Sequence, residues 1–193
     1  MRVSPTEYLS LNLRAHELLR ALPLYDVSVV DLPGGGAGRS VADIRALQSA
    51  AAPSRTVRAF FGLRRSLGRM FGWDRVQMGA EQSLLSQLSE RDRRDSEITP
   101  GTTDGPFRLL YQFPGESLSE IRNATVQGYV CVALTPTQAG YRLYWAVYVV
   151  PVSWITRPYL MAIEPFRRFL VYPSMLGRIR RAWIHRYQVE SLS

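Results

Sequence analysis

The sequence contains no lysine, and all 24 basic residues of its 193 are arginine. This excludes Schiff-base chemistry and the phosphate-binding P-loop, because both depend on a lysine amine. An all-arginine surface arises either from selection for planar contacts with phosphate or carboxylate groups or from a GC-rich genome. The runs of Ala, Gly, Arg and Leu favour the second origin. The formal net charge of +8 nevertheless favours anionic partners through long-range attraction.

Cysteine and histidine are nearly absent. The single cysteine, Cys131, cannot form an internal disulfide and has no companion for a zinc site. The two histidines, His16 and His185, have no carboxylate at ligand spacing. We therefore expect no metal, no cofactor and no histidine base, and a reducing cytoplasm as the compartment.

The sequence also has no long hydrophobic run. The longest uncharged apolar run, from Leu143 to Thr156, has 14 residues and contains Pro151, so it is too short to span a bilayer. The charged N-terminus has no apolar region typical of a signal peptide. At 46% hydrophobic residues, the chain can nevertheless bury the core of one domain.

Several helices are predicted from apolar residues that recur at three and four positions. We expect helices over 5–21, after Ser40 with Asp43 at its third position, and over 55–71. The glycine-rich GGGAG before Ser40 predicts a flexible turn, since it lacks the GxGxxG spacing of a phosphate-binding loop. A polar segment over 74–105 predicts a mobile excursion that holds one short helix at 81–88.

The second half of the chain begins as strands. Alternating apolar residues predict a strand over 107–113, a longer strand over 118–134 with a bend at Gly128, and the strongest strand over 141–150. A hairpin turn, TPTQAG, precedes the last of these. A helix then starts at Pro165, and Pro173 predicts a kink within it. Its predicted continuous apolar face consists of Phe166, Phe169, Leu170, Pro173, Leu176, Ile179 and Trp183.

Three stretches resemble one known family: PLYDVSVVDLPGGG, RAFFGLRRSLGRMFGWD and TRPYLMAIEPFRRFLVYPSMLGRIRRAW. Together they are similar to a bacterial family known only as domain of unknown function 2867, near the START-like (SRPBCC, helix-grip) superfamily. The resemblance covers roughly residues 22–184 and identifies no catalytic residue. It implies an internal pocket of the kind that holds lipids, polyketides or other apolar molecules in related folds.

The predicted fold is α+β, a START-like helix-grip in which a curved antiparallel sheet wraps on a long C-terminal helix. Residues 1–22 are predicted to be an N-terminal helical extension, and residues 23–190 the START-like domain with its polar excursion at about 74–105. Aromatic residues of the sheet and helix, with arginines at the start of the helix, are candidates for a ligand-binding pocket. The candidates are Tyr111, Tyr141, Trp145, Arg157, Phe166, Arg167 and Phe169.

The leading hypothesis is a binder of a small hydrophobic or amphipathic molecule, with filled core and a solvated arginine face as the alternatives. A second hypothesis is an enzyme of the polyketide cyclase or dehydratase type that uses pocket tyrosines, arginines and Glu164. A third is an interaction module that meets anionic partners through the arginines of 55–69 and 167–186. Nucleic acid is disfavoured, because no RNA-type motif is present, and a homo-oligomer is left open.

Overall fold

The computed structural model describes residues 4–50, 83–122, 126–151, 160–161, 164–165 and 167–187. The helix predicted over 55–71 lies outside these ranges. The described helices are α1 (Pro5–Leu9), α2 (Arg14–Leu18), α3 (Val41–Ala50), α4 (Glu90–Asp95) and α5 (Tyr172–Tyr187), with a 3₁₀ turn at Leu84–Gln87 and a π-helical turn at Arg167–Val171. The strands are β1 (Leu24–Pro33), β2 (Thr103–Asp104), β3 (Phe107–Gln112), β4 (Glu116–Arg122), β5 (Val126–Thr137) and β6 (Gly140–Pro151). None of the described helices is long and apolar enough to cross a bilayer.

The strands form one curved antiparallel sheet in the order β1-β6-β5-β4-β3-β2, so the fold is α+β as predicted. Strand β6 shows why the sheet is buried on both sides, because its residues alternate between two apolar clusters. Leu143 and Trp145 belong to the cluster under the C-terminal helix, whereas Tyr144 and Ala146 belong to the cluster under the N-terminal helices. The predicted hairpin turn is confirmed, since Gln138 and Ala139 connect β5 to β6.

The single strand predicted over 118–134 is wrong. The chain reverses direction within it, and β4 and β5 pair side by side in antiparallel register. The pattern conceals this reversal because apolar alternation continues through both strands. Gly128 lies in regular register opposite Ile121 and Val149 rather than at a bulge. A Cβ there would meet Ile121 Cγ2 at 3.3 Å, which is a tight contact.

The N-terminal segment predicted as a helical extension is part of the core. It forms two short helices rather than one, and Tyr8, Ala15 and Leu19 are fully buried against the sheet. Helix α2 begins at Arg14 without a capping side chain from its own segment. The buried carboxylate of Glu116 on β4 accepts a hydrogen bond from the Arg14 backbone N–H at 2.8 Å instead. A cap supplied by the sheet therefore fixes the start of α2.

The structure describes residues 83–105 of the predicted polar excursion. Thr103 and Asp104 form the edge strand β2, and the segment that begins at Ser83 packs against the same side of the sheet as α1 and α2. Leu84 and Leu88 are buried in the cluster that contains Tyr8. Asp92 of α4 closes a capping box with Ser89 and accepts two hydrogen bonds from the Arg14 guanidinium at 2.8 and 3.0 Å. Asp92 and Ser89 of this charged run use their polar groups in these contacts. The two leucines that anchor the segment are too few to produce a periodic apolar pattern.

The C-terminal helix begins with a π-helical turn, and this breaks the predicted continuous apolar face. Leu176, Ile179 and Trp183 of α5 are buried, but Phe169 is 69% and Leu170 is 43% exposed. A π turn holds one more residue than an α turn, so side chains before it are rotated by about 100° relative to those after it. The turn ends two residues before Pro173, which has no N–H to donate to the preceding turn.

Candidate functional site

A groove lies between the first half of β1 and the beginning of the C-terminal helix. It has a volume of about 470 Å³, which is within the usual range of about 300–1,000 Å³ for small-molecule sites. It is half-enclosed, with the strand as its floor and the helix as its wall. The lining residues are Asp26, Ser28, Val29, Val30, Arg168, Phe169, Tyr172, Pro173, Leu176 and Gly177.

The floor of the groove carries two polar side chains. Successive residues of a strand point to opposite faces, so Asp26, Ser28 and Val30 face the helix while Val27 and Val29 face the N-terminal cluster. Asp26 is 8% and Ser28 is 7% exposed. A carboxylate and a hydroxyl therefore lie about 7 Å apart along the strand, below an apolar wall.

The wall is formed mainly by apolar and aromatic side chains. Tyr172 and Leu176 lie on the side of the helix that packs on the sheet, and Phe169 stands at the mouth. Gly177 leaves space that another side chain would fill. A Cβ at this position would meet only Arg181 Nη1, at 3.7 Å, so the backbone itself does not require glycine here.

A positive charge stands at the rim. Arg168 lines the groove and is exposed, with its guanidinium carbon 5.4 Å from the centre of the Phe169 ring. This distance is within the range of a cation–π contact, which orients the guanidinium beside the mouth. Glu164 lies at the same end of the helix and accepts a hydrogen bond from the Tyr25 hydroxyl at 2.9 Å. The groove thus has an acidic floor and a basic rim.

The arrangement suits a molecule with an apolar body and polar groups. Val30, Leu176 and Tyr172 can bury an apolar surface, while Asp26 and Ser28 can bond to hydroxyl or amine hydrogens. Within the described ranges, no three His, Cys, Asp or Glu side chains are grouped as metal ligands would be. The groove itself contributes one such side chain, Asp26.

Two of the residues predicted for the site lie at or beside this groove. Phe169 lines it, and Trp145 is the cross-strand partner of Ser28 on the same face of the sheet. Arg157 and Phe166 lie outside the described residues, as does the side chain of Arg167, whose backbone belongs to the π-helical turn. Of the predicted residues, Phe169 thus lines the groove, and Trp145 lies one strand away from its floor.

Tyr141 and Tyr111 lie elsewhere. Tyr141 is 8% exposed in the core under the C-terminal helix, where its hydroxyl donates to Gly36 O at 2.9 Å and accepts from Arg39 N at 3.2 Å. Tyr111 is fully buried on the opposite face of the sheet, and its hydroxyl donates to Glu116 Oε1 at 3.1 Å. Both hydroxyls are used inside the protein.

The glycine-rich loop after β1 is a packing element. The first N–H groups of α3 are already occupied, because Ser40 N bonds to Asp43 Oδ2 at 2.9 Å and Val41 N bonds to Pro114 O at 2.8 Å. Arg39 follows the loop and places its guanidinium 3.9 Å from the centre of the Tyr187 ring. These contacts join the loop and α3 to the C-terminal helix.

Buried titratable groups also cluster on the opposite face of the sheet. Burial raises the pKa of Glu116, and it also raises the pKa values of Tyr8 and Cys131 well above their usual ranges. Tyr8 and Tyr148 hydroxyl oxygens are 3.4 Å apart, and burial raises the pKa of Tyr148 to about 12. Tyr8, Cys131 and Tyr148 remain neutral, and Glu116 binds the start of α2. We therefore assign these groups a role in holding the N-terminal segment.

Sequence reasoning missed Asp26, Ser28 and Tyr172 as groove residues, whereas Arg168 is one of the arginines at the helix start that it expected at the rim of a pocket. The signal for the first two was present, since DVSVV alternates polar and apolar positions. Such alternation normally predicts a solvent-facing side of a strand. Only the packing of the C-terminal helix shows that this side is covered.

A family model described as a protein of unknown function, DUF2867, matches residues 18–174. The match begins at the end of α2 and includes the whole sheet, the floor of the groove, and its rim and wall as far as Pro173. None of the curated proteins compared with the chain matches it.

Proposed function

The chain belongs to that family of unknown function, and we propose that it binds a small amphipathic molecule in the groove between β1 and the C-terminal helix. The observation that carries the proposal is the combination of an apolar wall with the buried Asp26 and Ser28 on the floor. Sites that bind small molecules commonly place a few polar groups within an apolar lining.

The proposal specifies what the ligand has to offer. Its apolar part lies on Val30, Leu176 and Tyr172, and a hydroxyl or amine hydrogen points to the floor. An anionic group, where the ligand has one, meets Arg168 at the rim. A START-like, helix-grip relationship is part of the same proposal, and the packing of α5 on a curved antiparallel sheet supports it.

Substitution of Gly177 tests the groove directly. Gly177→Leu adds a side chain at the wall of the groove, and glycine is not required by the backbone at this position. The matched control is His185→Leu, which places the same side chain on an exposed position of the same helix outside the groove lining. The two variants and the wild type are compared by native mass spectrometry after purification and by thermal shift against a panel of lipids, polyketides and other amphipathic molecules.

The expected result is a compound that co-purifies with, or raises the melting temperature of, the wild type and His185→Leu but not Gly177→Leu. A ligand at 100 times its Kd would stabilise the folded protein by about 2.7 kcal/mol, which a melting curve resolves. If no compound binds the wild type, or if Gly177→Leu binds as well as the control, the groove is not the site and the proposal fails.

An enzyme of the cyclase or dehydratase type is the second candidate, because Asp26 and Tyr172 line the same groove. A carboxylate and a phenol around one apolar ligand could exchange protons with it. Once a ligand is known, Asp26→Asn separates the two functions. Under the enzymatic hypothesis this variant still binds the molecule but no longer converts it, whereas a pure binder gives no product with either protein.

A further inference from the structure

Exposed apolar side chains are concentrated at the start of the C-terminal helix. Four large hydrophobic residues in the described ranges are strongly exposed, and three of them lie between positions 161 and 170. Met161 is 76%, Phe169 is 69% and Leu170 is 43% exposed, and the fourth is Leu9 on α1 at 51%. Scattered exposed leucines are ordinary, but a concentration of this kind marks a binding surface.

The residues next to these exposed side chains pack in one cluster of the core. Leu160, the neighbour of Met161, is buried against Val147 and Val149 together with Tyr172. Tyr172 follows the π-helical turn that carries Phe169 and Leu170. We call Met161, Phe169 and Leu170 the apolar patch.

Positive charge continues from the patch along the helix. Residues 165–187 contain six arginines and no acidic residue. Arg168 stands beside the patch, and Arg180 and Arg181 are exposed on the solvent side of α5, at helical spacing from Pro173 and Gly177. The nearby acid Glu164 is engaged by the Tyr25 hydroxyl.

We propose that this surface docks on an anionic lipid membrane, with the apolar patch inserted at the interface and Arg168, Arg180 and Arg181 against the lipid phosphates. Exposed Phe, Leu and Met beside arginines are the composition of an interfacial membrane contact. Nucleic acid would use the arginines but leave the apolar patch in water. A second copy of the chain in a symmetric pair would bring two arginine rows together, and like charges disfavour that arrangement.

Vesicle binding tests the proposal with the full chain. Phosphatidylcholine vesicles with and without phosphatidylglycerol are sedimented with the protein, at low and at high salt. We expect binding only when phosphatidylglycerol is present, and weaker binding as salt rises because the charges are screened. Arg180→Gln and Arg181→Gln should each weaken binding about fivefold. The double variant Met161→Ser, Leu170→Ser should weaken it about tenfold or more.

The matched controls lie on the other face of the sheet. Leu9→Ser removes an exposed leucine of α1, and Arg94→Gln removes an exposed arginine of α4, and neither should change vesicle binding. Circular dichroism checks that every variant is folded. Arg180 does not line the groove, so Arg180→Gln should weaken vesicle binding while keeping the thermal shift of a groove ligand, and the two tests can fail separately.

Three results would overturn the proposal. The wild type could fail to sediment with phosphatidylglycerol vesicles. The patch and arginine variants could bind no worse than their controls. Analytical ultracentrifugation could show a dimer of the wild type that Met161→Ser, Leu170→Ser dissociates, which would identify the patch as a contact between two copies.

Discussion

The indole of Trp183 lies so close to Gly35 that a Cβ at position 35 would stand 2.5 Å from Trp183 Cζ2. The indole N–H donates to Pro33 O at 3.0 Å, and the ring packs edge-on against Tyr141 and Tyr187. Gly35 also has a φ of +95°, which L side chains rarely adopt. The loop after β1 is therefore fitted to the last turns of the C-terminal helix.

Alanine at two neighbouring glycines separates this contact from backbone strain. Gly35→Ala should lower the free energy of unfolding by about 2–4 kcal/mol, since it adds the clash with Trp183 to the cost of a positive φ. Gly36 has a φ of +67°, but a Cβ there would meet nothing within 4 Å. Gly36→Ala should therefore lower the free energy of unfolding by about 1–2 kcal/mol. Guanidinium denaturation followed by circular dichroism measures both. Equal losses would show that the Trp183 contact has no specific role.

The sheet is the part of the fold that the sequence predicts best. In β6, the sequence alone separates Tyr141, Leu143 and Trp145 from Tyr144 and Ala146, and the structure puts these two sets on opposite faces. Side chains of a strand alternate between the two faces because of local backbone geometry, and both faces are covered here by apolar partners. The sequence of β6 therefore predicts the face of each side chain without knowledge of the detailed packing.

The remaining differences come from contacts that are distant in sequence. The start of α2 depends on Glu116, which is 102 positions from Arg14, and no local pattern indicates such a cap. The π-helical turn before Pro173 rotates Phe169 away from the face that carries Trp183. A π turn holds one more residue than an α turn, but this changes neither the composition of the sequence nor the spacing of its apolar residues. The apolar periodicity therefore cannot reveal the turn.

The candidate site was predictable only in its general location. A groove between the sheet and the C-terminal helix agrees with the predicted region, and Phe169 lines it. Tyr111 has the same residue type and strand periodicity as Tyr141, yet it lies on the other face because β3 has an irregularity between Leu109 and Tyr111. A register shift of one residue reverses the face of every later side chain.

The cap that Glu116 provides for α2 gives a second prediction. Glu116→Leu would leave the Arg14 N–H and the Tyr111 hydroxyl without their acceptor in a buried place, and we expect a loss of about 2–4 kcal/mol in unfolding free energy. Glu116→Gln keeps an acceptor oxygen and should lose about 1 kcal/mol or less. Urea denaturation compares the two. A similar loss for both would mean that charge, rather than hydrogen bonding, holds the helix start.

His16 gives a prediction for pH. Burial lowers its pKa, although the backbone of Leu11 acts in the opposite direction, and its ring packs edge-on against Tyr8 at 4.9 Å. The fold therefore favours the neutral ring. Its contribution to stability is complete above the unfolded pKa of about 6.5 and is lost as pH falls through the lower folded pKa.

The substitution His16→Phe keeps a ring beside Tyr8 but cannot take up a proton. Denaturation curves measured from pH 7.5 to acid should show the wild type losing stability relative to this variant below about pH 6.5. His185→Phe, at an exposed position, is the control. Parallel pH curves for the wild type and His16→Phe would contradict the prediction.

Gly177 links the stability of the C-terminal helix to the groove. Glycine within a helix costs about 0.5–1 kcal/mol relative to alanine, and a Cβ here meets only Arg181 Nη1 at ordinary contact distance. Gly177→Ala should therefore raise the free energy of unfolding by about that amount, as measured by chemical denaturation. If the groove binds a ligand, Gly177→Ala should retain most of the ligand binding. Gly177→Leu should be as stable as Gly177→Ala but should lose ligand binding. A loss of stability in Gly177→Ala would mean instead that the close approach of Arg181 requires a residue without a side chain.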